Sequence, residues 1–526
     1  MGFIIECSFL EIFYASLLVF LILYLYIIKE YDYWEERKVP HVPATFPFGS
    51  VRDIMLGRSF SGFVFDRMYK QFPAERYVGF TDMRVPALLV REPELIKLIL
   101  QKDFDHFTDH HGFNMNPKEY IMKNLFSLRG EEWRRTRVKL SPAYTAAKIK
   151  MMFALVRRCS DTLRQEVDKY IDSSSVVDVK DFMSRFTIDV IASCAFGIEI
   201  NSLVNRESAF YRMGIESMKV KMSMMVKLFL LNSFPIFSKV YFFNYVDTAI
   251  SKFFTGVIRS AVEYREKHNI STYDFLDLLI KLKQNQSILE EGEKTWRSSR
   301  CILQCSAHVL GFTVEEITGE TFLFFTAGFE TSSNTIMFCL YELACDSRIQ
   351  DKLSLEVEEV LNRYEGGISY QALLEMTYMD QVINETLRRY PPFPYLTRCC
   401  TEDYDVPKSS LTIKKGHHIT IPVYSLHHDP EHFPEPFTFN PDRFSPENSK
   451  DRHPCVFMPF GEGPRMCVGQ KFGLMNVKTA VATLVADYQI SLTPDTEVPL
   501  KLTNNACTTI PFVPLMLVFT RRKTKI

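Results

Sequence analysis

Apolar residues fill almost every position near the start of the chain. The stretch Phe9–Ile28 contains one charged residue, Glu11. Twenty residues in a helix extend about 30 Å, the thickness of the hydrocarbon core of a bilayer. Arg37 and Lys38 follow the stretch, and positive charge marks the cytosolic side of a membrane span. We therefore predict an uncleaved, single-span membrane anchor at 1–28, with the remainder of the chain in the cytosol.

A cleaved signal peptide and a buried core helix are the alternatives for this stretch. A signal peptide needs a basic leader and a small-residue cleavage site, whereas this leader carries Glu6 and no Ala-x-Ala sequence follows. Three prolines and a glycine then lie between residues 39 and 49, where they prevent a helix. The pattern predicts a stiff, proline-containing linker at 29–50 and a cytosolic domain at 51–526.

Within this domain, apolar positions recur at the spacing of amphipathic helices. The longest predicted helix, 313–346, contains no proline. It opens with Thr313-x-x-Glu316, the pattern of a capping box. Further helices are predicted at 61–72, 93–101, 144–173, 251–267, 348–364 and 470–488.

Strand patterns are rarer and lie late in the chain. Residues 411–413 and 419–423 flank the turn sequence Lys414-Lys415-Gly416, which predicts strand, turn and strand. Residues 500–520 carry β-type apolar runs broken by prolines. The fold class predicted from these patterns is mainly α with a small β region.

Two polar stretches do not fit either periodicity. Residues 103–118 are rich in His, Phe, Asp and Asn and are predicted as a long loop. Residues 284–308 are predicted as an exposed connection before the longest helix. Cys301, Cys305 and His308 could suggest a metal site within it, but a tetrahedral site needs a fourth ligand. A solvated loop is the better interpretation.

Composition narrows the classes of function. The chain has 62 basic and 63 acidic side chains and a formal charge of −1. This balance disfavours a nucleic-acid-binding protein that depends on electrostatics. The 12 cysteines include no Cys-x-x-Cys pair and are too sparse for a disulfide scaffold. We therefore expect the main domain to face a reducing compartment.

The segment Phe460–Gly469 carries the clearest chemistry. Two glycines and a proline before Cys467 predict a tight turn, and a predicted helix begins at residue 470. A thiolate at a helix N-terminus is stabilised by the helix dipole and the exposed N–H groups. Such a thiolate suits a soft, electron-donating metal ligand. A small buried hydrophobe is the alternative, and it is the preferred interpretation for the other cysteines.

The pattern Phe460-x-x-Gly463-x-Arg465-x-Cys467-x-Gly469 resembles the haem-binding signature of the cytochromes P450 at every fixed position. The resemblance extends over essentially the whole chain, from the anchor through further motifs in family order. It implies the cytochrome P450 fold with one N-terminal transmembrane helix. It also implies haem b as cofactor, with Cys467 as the axial ligand of the iron.

A second group of motifs has a structural role in the family. Glu385-Thr-Leu-Arg388 resembles the Glu-x-x-Arg motif, and Pro-Asp-Arg443-Phe resembles Pro-x-Arg-Phe. The resemblance implies that Glu385, Arg388 and Arg443 form a buried triad. Taken alone, the Glu-x-x-Arg motif is better explained as a solvated i,i+3 ion pair on a helix.

Four further residues are implied as haem-binding groups. Trp133-x-x-x-Arg137 matches a family motif, and the i,i+4 spacing places both side chains on one helix face. Arg398 follows the prolines after the Glu-x-x-Arg helix, and Arg465 belongs to the cysteine motif. By resemblance, Trp133, Arg137, Arg398 and Arg465 bind the haem propionates. The alternative for the first motif is a basic, solvated helix face.

The sequence Ala327-Gly328-Phe-Glu330-Thr331 lies midway along the longest predicted helix. A glycine inside a helix costs about 1 kcal/mol relative to alanine, and a threonine there can bond back to a carbonyl and bend the helix. The sequence resembles the oxygen-activating motif of the family, which implies that Glu330 and Thr331 relay protons. The alternative is a kinked helix with one partly solvated glutamate.

The finer resemblance is to insect microsomal members of families six and nine, which oxidise plant toxins, insecticides and some lipids. It implies a haem-thiolate monooxygenase in the endoplasmic reticulum membrane, with residues 51–526 as a catalytic domain on the cytosolic side. It also implies apolar substrates, electrons from NADPH through a flavin reductase, and a second partner in cytochrome b5. The alternatives are a haem-thiolate isomerase or dehydratase that acts on lipid peroxides without O₂, and a non-catalytic haem- or ligand-binding protein.

Overall fold

The computed structural model describes residues 9–111, 116, 118–173, 176–234, 236–237, 244–284, 311–365, 367–504 and 508–522. The possible metal ligands Cys301, Cys305 and His308 lie outside the described residues, as does most of the predicted connection 284–308.

Helices dominate the described chain, and the predicted mainly α fold with a small β region is confirmed. The α-helices are α1 (Phe9–Ile28), α2 (Tyr33–Glu36), α3 (Arg52–Met55), α4 (Ser61–Gln71), α5 (Pro93–Lys97), α6 (Gly130–Leu140), α7 (Ala146–Ser173), α8 (Val179–Ile191), α9 (Ala209–Met218), α10 (Met222–Ser233), α11 (Thr248–His268), α12 (Phe275–Lys283), α13 (Val314–Cys345), α14 (Ser347–Arg363), α15 (Tyr370–Glu375), α16 (Thr377–Arg389), α17 (Val423–His427), α18 (Pro446–Ser449) and α19 (Gln470–Asp487). The strands are β1 (Tyr77–Asp82), β2 (Val85–Val90), β3 (Val176–Asp178), β4 (Leu396–Cys399), β5 (Tyr404–Asp405), β6 (Thr412–Ile413), β7 (His418–Ile421), β8 (Tyr488–Leu492) and β9 (Met516–Arg521).

The long helix α13 begins where the sequence predicts. The Glu316 N–H donates to Thr313 Oγ1 at 3.1 Å, and the Thr313 N–H donates to Glu316 Oε2 at 2.7 Å. These two bonds satisfy backbone donors that the first turn of a helix leaves unpaired. The capping box predicted from the sequence is therefore confirmed.

The predicted strand, turn and strand are present as β6 and β7, but these two strands do not pair with each other. β6 pairs with β5, whereas β7 pairs with β2 in parallel and with β4 in antiparallel orientation. All four residues of β7 are buried, and β7 has a partner strand on each edge. One of these partners, β2, comes from a distant part of the chain. The predicted loop 103–118 contains a short 3₁₀ helix, Phe104–Phe107.

The chain divides into two compact units. The first draws on residues up to 114 and on 221–240 and 395–422, and its main sheet has the order β1-β2-β7-β4. The second contains the remaining residues and is largely helical, with a sheet of order β3-β9-β8. In the second unit α13 packs against α8 and α19, and its residues are buried along most of its length. The domain boundaries predicted at 28 and 50 stay predictions.

Within the described ranges, Glu11–Ile28 is the one stretch long and apolar enough to cross a membrane. Phe13, Leu18 and Ile22 are each more than half exposed. A helix with apolar side chains exposed all round is stable only where lipid or protein covers it. The last turn of α1 is fixed to its own unit, because Arg84 donates from Nε to the Tyr26 carbonyl at 2.9 Å and stacks on the Tyr26 ring.

Candidate active site

The loop before α19 places Cys467 at the start of that helix. Gly461 and Gly463 have φ values of +73° and +74°, a region in which a side chain causes strain. The Cys467 N–H donates to the Phe460 carbonyl at 2.9 Å, which closes the turn. The backbone of this turn thus requires glycine at positions 461 and 463, and the turn leaves the Cys467 side chain exposed.

The Cys467 thiol is accessible to solvent although protein surrounds it. Desolvation raises the pKa of the thiol, while the Gly469 N–H and the charge of Arg137 oppose that rise. The helix start therefore lowers the cost of a thiolate without making the anion the stable form on its own. Coordination to a metal ion deprotonates a thiol. The Cys467 sulfur is accessible and has an N–H group and a cation nearby, so it is suited to bind a metal-containing group as a thiolate.

Three of the predicted haem-binding residues lie around the cysteine loop. Trp133 and Arg137 are one turn apart on α6, and Trp133 is buried. The Arg465 guanidinium stacks on the Trp133 ring at 4.1 Å and donates to the Leu128 carbonyl at 2.8 Å. Burial lowers the pKa of Arg137, whereas a negative charge on Cys467 raises it. The structure thus brings Trp133, Arg137, Arg465 and Cys467 together in the second unit.

Arg398 lies in the first unit, on β4, and is only 2% exposed. Its Nη1 donates to the Thr397 carbonyl at 2.7 Å, and its Nε has no partner. Burial lowers the pKa of this guanidinium to about 10. No carboxylate in the described part of the chain pairs with Arg398, and a buried cation without a counter-ion is costly. The residue therefore fits an anionic group that the described residues do not supply, such as a haem propionate.

The middle of α13 combines a close helix contact with an accessible surface. A Cβ at Gly328 would lie 2.6 Å from Ile191 Cδ1, so glycine permits α8 and α13 to approach. Ala327 is exposed, although Phe325 and Phe329 on either side are buried. The Thr331 hydroxyl donates to the Ala327 carbonyl at 2.7 Å, the back-bonding that the sequence predicts.

Glu330 is buried and contacts Lys180 and Asn334, two partners that the sequence did not indicate. Lys180 Nζ on α8 lies 3.1 Å from Glu330 Oε1 and also donates to Ser333 Oγ at 3.3 Å. Asn334 contacts both Lys180 and Glu330. No hydrogen bond between Glu330 and Thr331 occurs in the structure as described. The glutamate is thus neither solvated nor free, and no local sequence pattern could have revealed Lys180, which lies 150 residues away.

The three residues of the predicted triad lie together in the second unit. Arg388 donates to Glu385 through two nitrogens, at 2.7 and 2.9 Å, and both side chains are fully buried. Arg388 also donates to the carbonyls of His427 and Pro436. Arg443 Nε lies 3.4 Å from Glu385 Oε1. Each buried charge therefore has partners, which is the condition for a stable buried ion pair.

A second buried acid, Glu320 on α13, has no counterpart in the sequence analysis. It is 3% exposed, and burial raises the pKa of its carboxyl well above the ordinary value, although the nearby Leu125 N–H opposes the rise. The adjacent Gly319 approaches the Lys123 carbonyl so closely that a side chain would collide with it. Glu320 thus lies beneath the loop whose carbonyls bind Arg465. Only the three-dimensional contact identifies it, since Glu320 is one of many acidic residues on predicted helices.

Glu320→Gln should flatten the dependence of stability on pH. Because the folded-state pKa lies above the unfolded value, the folded state binds the extra proton, and stability falls as pH rises above about 4.5. Glutamine keeps the shape of the neutral acid and cannot ionise. As pH rises, we expect the free energy of unfolding of the variant to fall less steeply than that of the wild type. The difference between the two slopes should be up to about 1.4 kcal/mol per pH unit.

The measurement is the free energy of unfolding in denaturant at pH 5, 7 and 9. Glu358→Gln, at an exposed position on α14, is the matched control and should keep the wild-type slope. Equal slopes for Glu320→Gln and the wild type would show that Glu320 is ionised in the folded protein.

Comparison with known proteins shows which family the chain belongs to. The family model "Cytochrome P450" matches residues 63–517. Cytochrome P450 6k1 of Blattella germanica is 34% identical over 498 residues, 94% of this chain and 94% of that protein. Cytochrome P450 6a9 of Drosophila melanogaster is 37% identical over 469 residues, 89% of this chain and 90% of that protein. The predicted resemblance is confirmed: the chain belongs to the cytochrome P450 family and is an oxidoreductase of the monooxygenase class.

Proposed function

We propose that this protein inserts one oxygen atom from O₂ into apolar small molecules, with electrons from NADPH delivered by a flavin reductase. The observation that carries the proposal is the accessible thiol of Cys467 at the start of α19, beside Arg137 and the Arg465–Trp133 stack. Xenobiotics, plant toxins, insecticides and endogenous lipids are the substrate classes that the resemblance to insect members of families six and nine implies.

The residues present fit haem b. Cys467 would bind the iron, and Trp133, Arg137, Arg398 and Arg465 would bind the propionates. The buried Nε of Arg398 supports this assignment, because it has no hydrogen-bond partner among the described residues and a propionate could supply one. When bound, the haem supplies the reduction and cleavage of O₂, which electron donation from a thiolate ligand favours.

Two residues of α13, Glu330 and Thr331, are suited to transfer protons. The Thr331 hydroxyl, now donating to the Ala327 carbonyl, can turn towards the accessible surface at Ala327 and offer its proton there. Lys180 holds the Glu330 carboxylate in place, so this acid has a fixed position one residue from the threonine. We propose that Glu330 and Thr331 relay protons and that Lys180 is a positioning residue for Glu330.

Lys180→Met should uncouple NADPH consumption from product formation. Without the cation the buried Glu330 carboxylate loses its ion-pair partner and its fixed position. We expect the product formed per NADPH to fall about 10-fold, a modest share of the effect of a general acid–base group. The measurement compares product and NADPH consumed, with haem content as the check on folding. Lys180→Arg is the matched control and should keep most of the coupling. Unchanged coupling in Lys180→Met would contradict the positioning role.

The partner surface is proposed from the basic residues of α6. The side chains of Arg134 and Arg135 are 44% and 70% exposed, and both lie near Glu131. An exposed basic face attracts an acidic redox partner by long-range electrostatics, which salt weakens. We propose the flavin reductase as the main partner and cytochrome b5 as a second one. The exposed apolar helix α1 supports anchorage in the endoplasmic reticulum membrane, with the catalytic domain on the cytosolic side.

Reconstitution tests the proposed reaction against its alternatives. The full chain, a flavin reductase and lipid vesicles would be supplied with NADPH, ¹⁸O₂ and an alkoxycoumarin, whose dealkylation releases a fluorescent phenol. The proposal predicts product only with NADPH and O₂, and label in the aldehyde released from the alkyl group when back-exchange with water is controlled. Conversion of a lipid hydroperoxide without NADPH, with no NADPH-dependent product, would support the isomerase or dehydratase instead. Haem binding without turnover of either substrate would support a binding protein.

A further inference from the structure

Three metal-ligating side chains meet in the first unit, in a cluster that the proposed function does not use. Asp82, His111 and His418 each place a ligand atom within 4.8 Å of the other two. His418 Nδ1 lies 3.0 Å from Asp82 Oδ2, and His111 Nδ1 lies 3.8 Å from the same oxygen. The side chains are 9%, 17% and 11% exposed for His418, His111 and Asp82. The cluster is therefore largely shielded and is accessible mainly through His111.

The strand register brings these distant residues together. His418, the first residue of β7, pairs with Ala87 of β2 on one side and with Cys399 of β4 on the other. The Cys399 N–H donates to the Asp109 carbonyl at 2.7 Å, so the chain that carries His111 runs alongside β4. Asp82 ends β1, which pairs with β2. The sheet thus fixes the positions of Asp82 and His418, and His111 follows two residues after the bridge between Asp109 and Cys399.

We propose that Asp82, His111 and His418 bind a zinc ion that clips the end of β1, the start of β7 and the segment after residue 109 together. Two imidazoles and a carboxylate are common zinc ligands, and a water completes the tetrahedron. With metal–ligand bonds of about 2.1 Å, neighbouring ligand atoms in such a tetrahedron are about 3.4 Å apart. The observed separations from Asp82 Oδ2, 3.0 and 3.8 Å, lie on either side of that distance.

The ring arrangement defines what must move when the ion binds. The His111 and His418 rings are stacked, with centroids 4.1 Å apart and planes 8° from parallel. A metal ion lies in the plane of each imidazole that binds it, so two stacked rings cannot share an ion without a rotation. His111 is the more exposed of the two, and we expect its ring to turn about Cβ–Cγ until its Nδ1 converges on the ion. Zinc binding should therefore break the stack.

The test uses the full-length haem-loaded protein, purified without a histidine tag and stripped of loose metal by a chelating resin. Equilibrium dialysis against buffered micromolar Zn²⁺, followed by elemental analysis, gives zinc bound per chain. We expect one zinc per chain in the wild type. Zinc binding should be at least about 10-fold weaker in His418→Ala and Asp82→Asn, because each loses a ligand. The control His268→Ala should bind zinc as the wild type does. His268 is the exposed last residue of α11. Unchanged haem spectra show that the variants fold.

Two measurements on the wild type keep the proposal testable if a variant misfolds. X-ray absorption at the zinc edge, which the haem iron does not obscure, should show two imidazole ligands and oxygen ligands. Saturating Zn²⁺ should also raise the apparent Tm by at least about 2 °C. No bound zinc, a shell of sulfur ligands, or equal zinc binding in all three variants would overturn the site. In those cases the cluster is a hydrogen-bonded Asp–His pair with a stacked second ring. Because none of these readouts requires turnover, failure of the zinc site and failure of the proposed reaction are separate results.

Discussion

Arg388→Met is expected to leave little folded, haem-containing protein. The change removes the cation that binds fully buried Glu385 through two hydrogen bonds, at 2.7 and 2.9 Å, and strands a carboxylate in the interior. It also leaves the carbonyls of His427 and Pro436 without their donor. Breaking one side of a buried ion pair costs about 3–5 kcal/mol, and whole proteins are stable by only about 5–15 kcal/mol. Soluble yield, haem content and the denaturant midpoint measure the effect.

A surface ion pair supplies the control for this prediction. Arg363 pairs with Glu375 at 3.1 Å, but its side chain is 61% exposed. Exposed pairs contribute about 0–1 kcal/mol, so Arg363→Met should fold normally. The double variant Glu385→Gln with Arg388→Met removes both charges and should recover part of the lost yield. A normal yield of haem-containing Arg388→Met would contradict the view that this triad supports the fold.

Cys467→Ala is expected to abolish monooxygenase activity while the chain still folds. The side chain is exposed and fills no core position, so its removal creates no cavity. We propose that its sulfur binds the haem iron, and alanine has no atom that could replace this ligand. We expect turnover below detection and a denaturant midpoint close to that of the wild-type apoprotein.

Cys345→Ala is the matched control for that change. Cys345 is also an exposed free cysteine, at the end of α13, where no motif assigns it a role. This variant should keep both turnover and the haem spectrum of the wild type. Activity retained in Cys467→Ala, or lost equally in both variants, would contradict the assignment of Cys467 as the iron ligand.

Local rules explain which parts of the fold could be predicted. The start of α13 depends on two residues three positions apart, Thr313 and Glu316, so the capping box is visible in the sequence and present in the structure. The turn before Cys467 depends on glycines at fixed positions, and both adopt positive φ. Helix α16 carries Glu385 and Arg388 at i,i+3, which guarantees their proximity once the helix forms.

Long-range contacts explain what could not be predicted. Lys180 reaches Glu330 only because α8 packs along α13, and no spacing in the sequence encodes that approach. The partners of β7 lie in β2 and β4, so the local strand-turn-strand pattern predicted its position but not its sheet. Asp82, His111 and His418 are scattered over more than half of the chain, and only the strand pairing together with the bridge from Asp109 to β4 brings them together.

The most direct test of the account is the absorption spectrum of the full-length protein after reduction with dithionite and binding of CO. If Cys467 binds the haem iron, this spectrum has a strongly red-shifted Soret band, the signature of a haem whose iron has a thiolate ligand. Cys345→Ala should keep that band, and Cys467→Ala should lose it. A band typical of histidine-ligated haem in the active wild-type enzyme, or a folded protein that binds no haem, would contradict the account.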